Sequence, residues 1–147
     1  IKKLWFPIVM SQLVGCLVGI VSAVVVAKVL GAPEAIILSL ASKSVTTPIA
    51  MEVTQSVGGI PSLTAAVVVV TGILGALIGF KTLAVGRISS PIAQGLSMGT
   101  ASHAVGASTA MGYGTKYGAF ASLGITLNGI FTALLTPTII HLIEALI

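Results

Sequence analysis

From Leu4 to Leu30 the chain is almost unbroken hydrophobic sequence, relieved by Ser11, Gln12, Ser22 and Lys28. A membrane-crossing helix needs about 20 apolar residues, so this stretch predicts one transmembrane helix over 4–30. Gly15 and Gly19 give it a small-residue face for close packing. Gly31-Ala32-Pro33 ends it. The next segment, Glu34 to Ser56, has a different pattern. An apolar limb, Ala35 to Ala41, runs into a polar string, Ser42-Lys43-Ser44-Val45-Thr46-Thr47-Pro48. A second limb restarts there, with Thr47 as the predicted N-cap and Pro48 in the first turn. Gly58-Gly59 closes this unit, and Pro61 to Phe80 predicts a second full span with Gly72, Gly75 and Gly79 along it.

A basic loop, Lys81 to Ser90, leads into a second interrupted unit from Pro91 to about Gly112, with its predicted break at Gly99 to Gly106. A polar turn follows at Tyr113 to Tyr117. The last span is Gly118 to Ile140, with Asn128 near its middle. Sliding the chain along itself so that Lys43 meets His103 also brings Ala41, Ser42, Val45, Ala50 and Met51 onto identical residues at 101, 102, 105, 110 and 111. The same slip aligns Gly58, Ser62, Leu63 and Leu74 with Gly118, Ser122, Leu123 and Leu134. We read an internal repeat, 34–80 and 91–140, behind the helix at 4–30, all within one membrane domain over 1–147.

Composition narrows the class. Of 147 residues, 56% are hydrophobic and 7% are charged, where a soluble domain carries about 25%. Mean hydropathy is +1.16. The chain reads as an all-α integral membrane protein. Its formal charge of +4 does not point to nucleic acid, because Lys2, Lys3, Lys81, Arg87 and Lys116 flank apolar segments, where basic residues set orientation. If each interrupted unit is a re-entrant hairpin, those five share one side and only Lys28 opposes them; crossing helices would scatter them. The positive-inside rule favours the first arrangement, two hairpins entering from opposite sides as an inverted repeat. Cys16 has no partner for an internal disulfide. The chain opens on Ile1 and has no signal peptide, which predicts that an N-terminal portion is missing.

Polar breaks at membrane depth carry the candidate chemistry. The first supplies Lys43, hydroxyls on Ser42, Ser44, Thr46 and Thr47, and the start of a helix at Pro48. The second supplies His103, Thr100, Ser102 and Ser108. Cation, hydroxyls and helix N-termini together favour a small oxyanion such as a carboxylate. Histidine as a residue type can change charge near neutral pH, so His103 could couple movement of the anion to a proton; Glu52 could pair with Lys43 or relay protons. Asn128 lies at a similar depth and could complete the site. Structural readings stand beside these. Lys43 could snorkel to an interface, His103 could bond a backbone carbonyl, Glu52 could sit in a surface ion pair, and Asn128 could tie two helices. No nucleophile–base set, metal cluster or cofactor motif appears, so an enzyme is not expected.

The strings Ser42 to Glu52, Gly58-Gly59-Ile60-Pro61-Ser62-Leu63-Thr64-Ala65, and Gly95-Leu96-Ser97-Met98-Gly99-Thr100-Ala101-Ser102-His103-Ala104-Val105-Gly106 resemble the LrgB/CidB/YohK family over essentially the whole chain. The resemblance implies one of two functions. The first is transport of small monocarboxylates or 2-hydroxy acids (pyruvate, glycolate, glycerate or lactate), as in plastid glycolate/glycerate translocators. The second is holin/antiholin-like control of murein hydrolase export and lysis, with a small LrgA/CidA-like membrane partner or as a homo-oligomer. It places the protein in a bacterial inner membrane as a multi-pass protein, or alternatively in a plastid inner envelope. Ser42 stands where the resemblance leads us to expect proline. A holin-like role does not account for two repeated polar breaks, so the sequence favours transport.

Overall fold

The computed structural model describes residues 4–145, with side chains through Leu142. Lys2 and Lys3, two of the five basic residues used above for orientation, lie outside the described residues. Six helices follow in order: α1 Trp5–Val29, α2 Glu34–Ala41, α3 Thr47–Ser56, α4 Pro61–Val85, α5 Pro91–Tyr113 and α6 Thr115–Ala145. The fold is all-helical, and α1, α4 and the 115–142 part of α6 are long and apolar enough to cross a membrane.

Proline sets three helix starts. Pro48, Pro61 and Pro91 sit in first turns, each behind an extended residue (Thr46, Ile60 and Ser90) with ψ of 146°, 101° and 124°. A proline there has no N–H to lose and a φ already suited to the helix. The N-cap of α3 is therefore Thr46, one residue before the expected Thr47. Helix α4 runs to Val85 and so takes in Lys81, which the sequence pattern had put in a loop. The polar turn before α6 shrinks to Gly114, whose φ of 143° suits a residue without Cβ.

Both breaks occur, in different forms. The first is an open turn from Ser42 to Thr46, between α2 and α3. The second is narrower than the expected 99–106: a single non-helical residue, His103, with φ 41° and ψ −134°, inside α5. Its consequence is a sharp reversal. Met98 and Gly106 are eight residues apart, about 12 Å along a straight helix. Yet a Cβ on Gly106 would strike the Met98 carbonyl and lie 2.5 Å from the Ser102 Cβ. The two limbs of α5 therefore fold against each other. The ring of Tyr113, ending the second limb, stacks on Phe80 of α4 at 3.9 Å.

Glycines bring the backbones this close. Gly72, Gly75 and Gly79 make a groove on α4 that receives His103, Ser102 and Met98 in turn. On α5, Gly95 and Gly99 admit the α6 backbone at Tyr117 and Ala121. One core cluster joins α1, α2 and α6 through Cys16, Ile20, Val24, Leu38, Ala41 and Ile140. Another joins α5 and α6 through Met98, Ala110 and Ala121, with Phe80 packed on it. Outward faces carry Val14, Val18, Val25, Val69, Leu74 and Leu77, all exposed, a composition that suits hydrocarbon. Lys81, Arg87 and Lys116 are exposed at the end of the molecule marked by the Phe80–Tyr113 stack.

Candidate functional site

Where the first break meets α5 and α6, a cavity of about 620 Å³ opens between α1 and these elements. Its polar residues include Gln12 from α1, Lys43 and Ser44 from the break, Thr100 from α5, and Asn128 from α6. Among the described residues, Lys43 is the one charged residue on the cavity wall. It is half-buried, and its ammonium donates to the Ser44 hydroxyl at 3.3 Å. In a low-dielectric surround, a cation with no acidic neighbour on the wall attracts a small anion strongly.

Asn128 holds the parts together. Its Nδ2 donates to the backbone carbonyl of Ser44 at 3.0 Å and to that of Thr100 at 3.1 Å. Leaving a helix strands backbone carbonyls, and one buried amide serves two of them from different elements. The Thr100 hydroxyl bonds the Leu96 carbonyl at 2.7 Å and also meets the Gln12 carboxamide. One turn along α1, the Cys16 thiol lies 3.3 Å from the Thr132 hydroxyl.

The remaining candidates lie elsewhere. Ser102 and His103 are buried against α4 and do not line the cavity. The His103 ring fits over Gly72, where a Cβ would come within 2.6 Å of Cε1, and its Nε2 donates to the Val68 carbonyl at 2.9 Å. This is the backbone-carbonyl partner of a structural histidine. Thr46 and Thr47 are half-buried at the start of α3, off the cavity wall, and Glu52 is exposed on α3.

Two features were not picked out by the sequence pattern as site components. Gln12 is one, though a lone amide within an apolar span was its visible signal. The other is the set Thr54, Thr64 and Ser39, which joins the already noted Ser42 in a buried chain that clamps the first break: Ser42 to Thr54 at 2.9 Å, Thr54 to Thr64 at 2.9 Å, and Thr64 to the Ser39 carbonyl at 2.8 Å. The Ser39 hydroxyl in turn accepts from the Ile60 N–H at 2.7 Å. Such hydroxyls look like ordinary helix residues until the helices are packed.

A model of the LrgB-like family matches residues 1–142. The chain belongs to the LrgB-like family. An antiholin-like protein LrgB from Bacillus mycoides is 34% identical over 137 residues, covering 93% of this chain and 60% of the relative. One from Bacillus cereus is 33% identical with the same coverage. The chain thus spans about 60% of the length of these LrgB relatives. No solved structure matches it.

Proposed function

We propose that this chain works as an antiholin-like protein of the bacterial inner membrane. Its similarity to antiholin-like LrgB proteins of Bacillus supports this reading, as do three helices fit to span a bilayer. In it, the protein restrains murein hydrolase export and lysis, assembled with a small LrgA/CidA-like membrane partner or with further copies of itself.

A second reading is carried by one observation: among the described residues, Lys43 is the sole charged residue on the wall of a largely apolar cavity, beside hydroxyls and amides at a helix break. Bilayer sealing alone has no use for it. We propose that this cavity admits a small monocarboxylate or 2-hydroxy acid of the pyruvate, glycolate, glycerate or lactate class. Two re-entrant hairpins, α2–α3 and the folded α5, would enter from opposite membrane faces as an inverted repeat. The fold-back of α5 and the Phe80–Tyr113 stack support this arrangement. Proton coupling through His103 would act by way of its bond to Val68, because the ring does not line the cavity. Glu52, exposed on α3, would act from outside the cavity.

Uptake of labelled carboxylates by the full-length protein in proteoliposomes tests the second reading, and lysis of cells carrying the same variants tests the first. Lys43→Met should abolish uptake in a protein that still purifies folded. Wild-type uptake by that variant removes the anion site. Normal restraint of lysis without any carboxylate flux leaves the antiholin-like reading alone.

A further inference from the structure

The polar wall around Lys43 contains more than an anion requires. Asn128 is 1% exposed. Both of its bonds run from Nδ2 to carbonyl oxygens, which only accept, so the orientation of its amide is settled by chemistry. Its Oδ1 has no partner among the described residues. Gln12 is 3% exposed and bonds the Thr100 hydroxyl alone. That hydroxyl has a single proton and a second acceptor, the Leu96 carbonyl. Whichever way the Gln12 amide is turned, it keeps at least one N–H without a partner. Both residues line the cavity that Lys43 lines. The free amide atoms are not fully enclosed but open to that cavity, where a ligand can supply their partners.

We infer that Gln12 and Asn128 are the specificity-determining pair of this cavity, reading a hydroxyl beside the carboxylate that Lys43 holds. This rests on the anion reading above. Lys43 gives one N–H to Ser44 and has two left for the carboxylate. Asn128 Oδ1 accepts the hydroxyl proton of the ligand, and the free Gln12 N–H donates to the hydroxyl oxygen. A 2-oxo acid has no proton to offer and sets its carbonyl oxygen against Oδ1. An unsubstituted acid leaves both amides unpaired. Asn128 also ties the first break to α5, so recognition of the hydroxyl falls on the residue that holds Ser44 and Thr100 in register.

Lactate, pyruvate and propionate match in carbon number and differ at C2. Their equilibrium affinities are to be measured on the full-length protein in detergent. Lactate should bind at least about tenfold more tightly than either of the others, one oriented hydrogen-bond pair's difference. Gln12→Met keeps the length of the side chain and lies outside the Asn128 ties, so it tests the pair even if Asn128→Leu fails to fold. It should bring lactate down to within about twofold of propionate. Equal binding of all three by the wild type overturns the inference while leaving the anion site standing. A Gln12→Met loss shared equally by lactate and propionate also overturns it, and makes Gln12 a packing residue. If none of the three binds and Lys43→Met changes nothing, the anion reading falls and this inference falls with it.

Discussion

Asn128 on α6 donates its side-chain amide to the carbonyl of Ser44 at 3.0 Å, joining residues 84 positions apart in sequence. The same amide holds the Thr100 carbonyl, so one side chain sets the spacing between the first break and α5. Asn128→Leu keeps the volume and removes both donors. It should cost on the order of 1–2 kcal/mol, since two partly buried carbonyls lose their partner. The check is a lower thermal unfolding midpoint of the full-length protein in detergent, and an unchanged midpoint would mean that water replaces the tie.

The hydroxyl of Thr54 sits between those of Ser42 and Thr64, all three fully enclosed. Thr54→Val substitutes a methyl for the hydroxyl at nearly constant volume and takes one partner from each neighbour, while Ser42 keeps its bond to the Ala50 carbonyl and Thr64 its bond to the Ser39 carbonyl. We expect a loss of about 0.5–1.5 kcal/mol, read from the same unfolding curves. Ser56→Ala is the control. Its hydroxyl bonds only the Val53 carbonyl of its own helix, and its loss should be near neutral.

His103 holds φ at 41° in a buried position, a conformation that costs a residue with a Cβ on the order of 1 kcal/mol or more. His103→Ala and His103→Gly both remove the ring and its bond to Val68. Only glycine accepts the backbone angle freely. The glycine variant should therefore unfold at the higher temperature of the two. Equal midpoints would mean that the alanine variant relaxes its bend.

Orientation can be read with single cysteines in a Cys16→Ser background of the full-length protein. Cysteines at Ser89 and Thr115 should react with an impermeant reagent from the same side of the membrane, and one at Ala32 from the other. Arg87 and Lys116 lie close to the first two positions, and both are exposed. Opposite accessibility of 89 and 115 would sink the re-entrant arrangement and require α5 to cross the bilayer.

Much of the helix layout was legible locally, because its signals are local. An apolar run of bilayer length, a proline in the first turn and a glycine beyond the last are short-range constraints, and they placed α1, α3, α4 and the start of α5 to within a few residues. Lys43, Ser44, Thr100 and Asn128 stood out because polar groups inside apolar sequence are costly unless they meet a partner. The two polar strings within apolar sequence likewise located two breaks in the chain.

Side-chain direction at each break was not legible, since the neighbouring helix decides it. Gly72 on α4 opens a hollow that takes the His103 ring, whereas the first break lies beside α1 and leaves Lys43 on a cavity. Positions 43 and 103 therefore face different surroundings. Gln12 became a site residue only when α1 came against Thr100, and Thr54 only when α3 and α4 aligned their hydroxyls. The chain by itself determined that it is helical, suited to a membrane and interrupted twice. Tertiary packing decided which polar groups meet, because hydrogen bonds act over about 3 Å and depend on which backbones the glycines allow to approach.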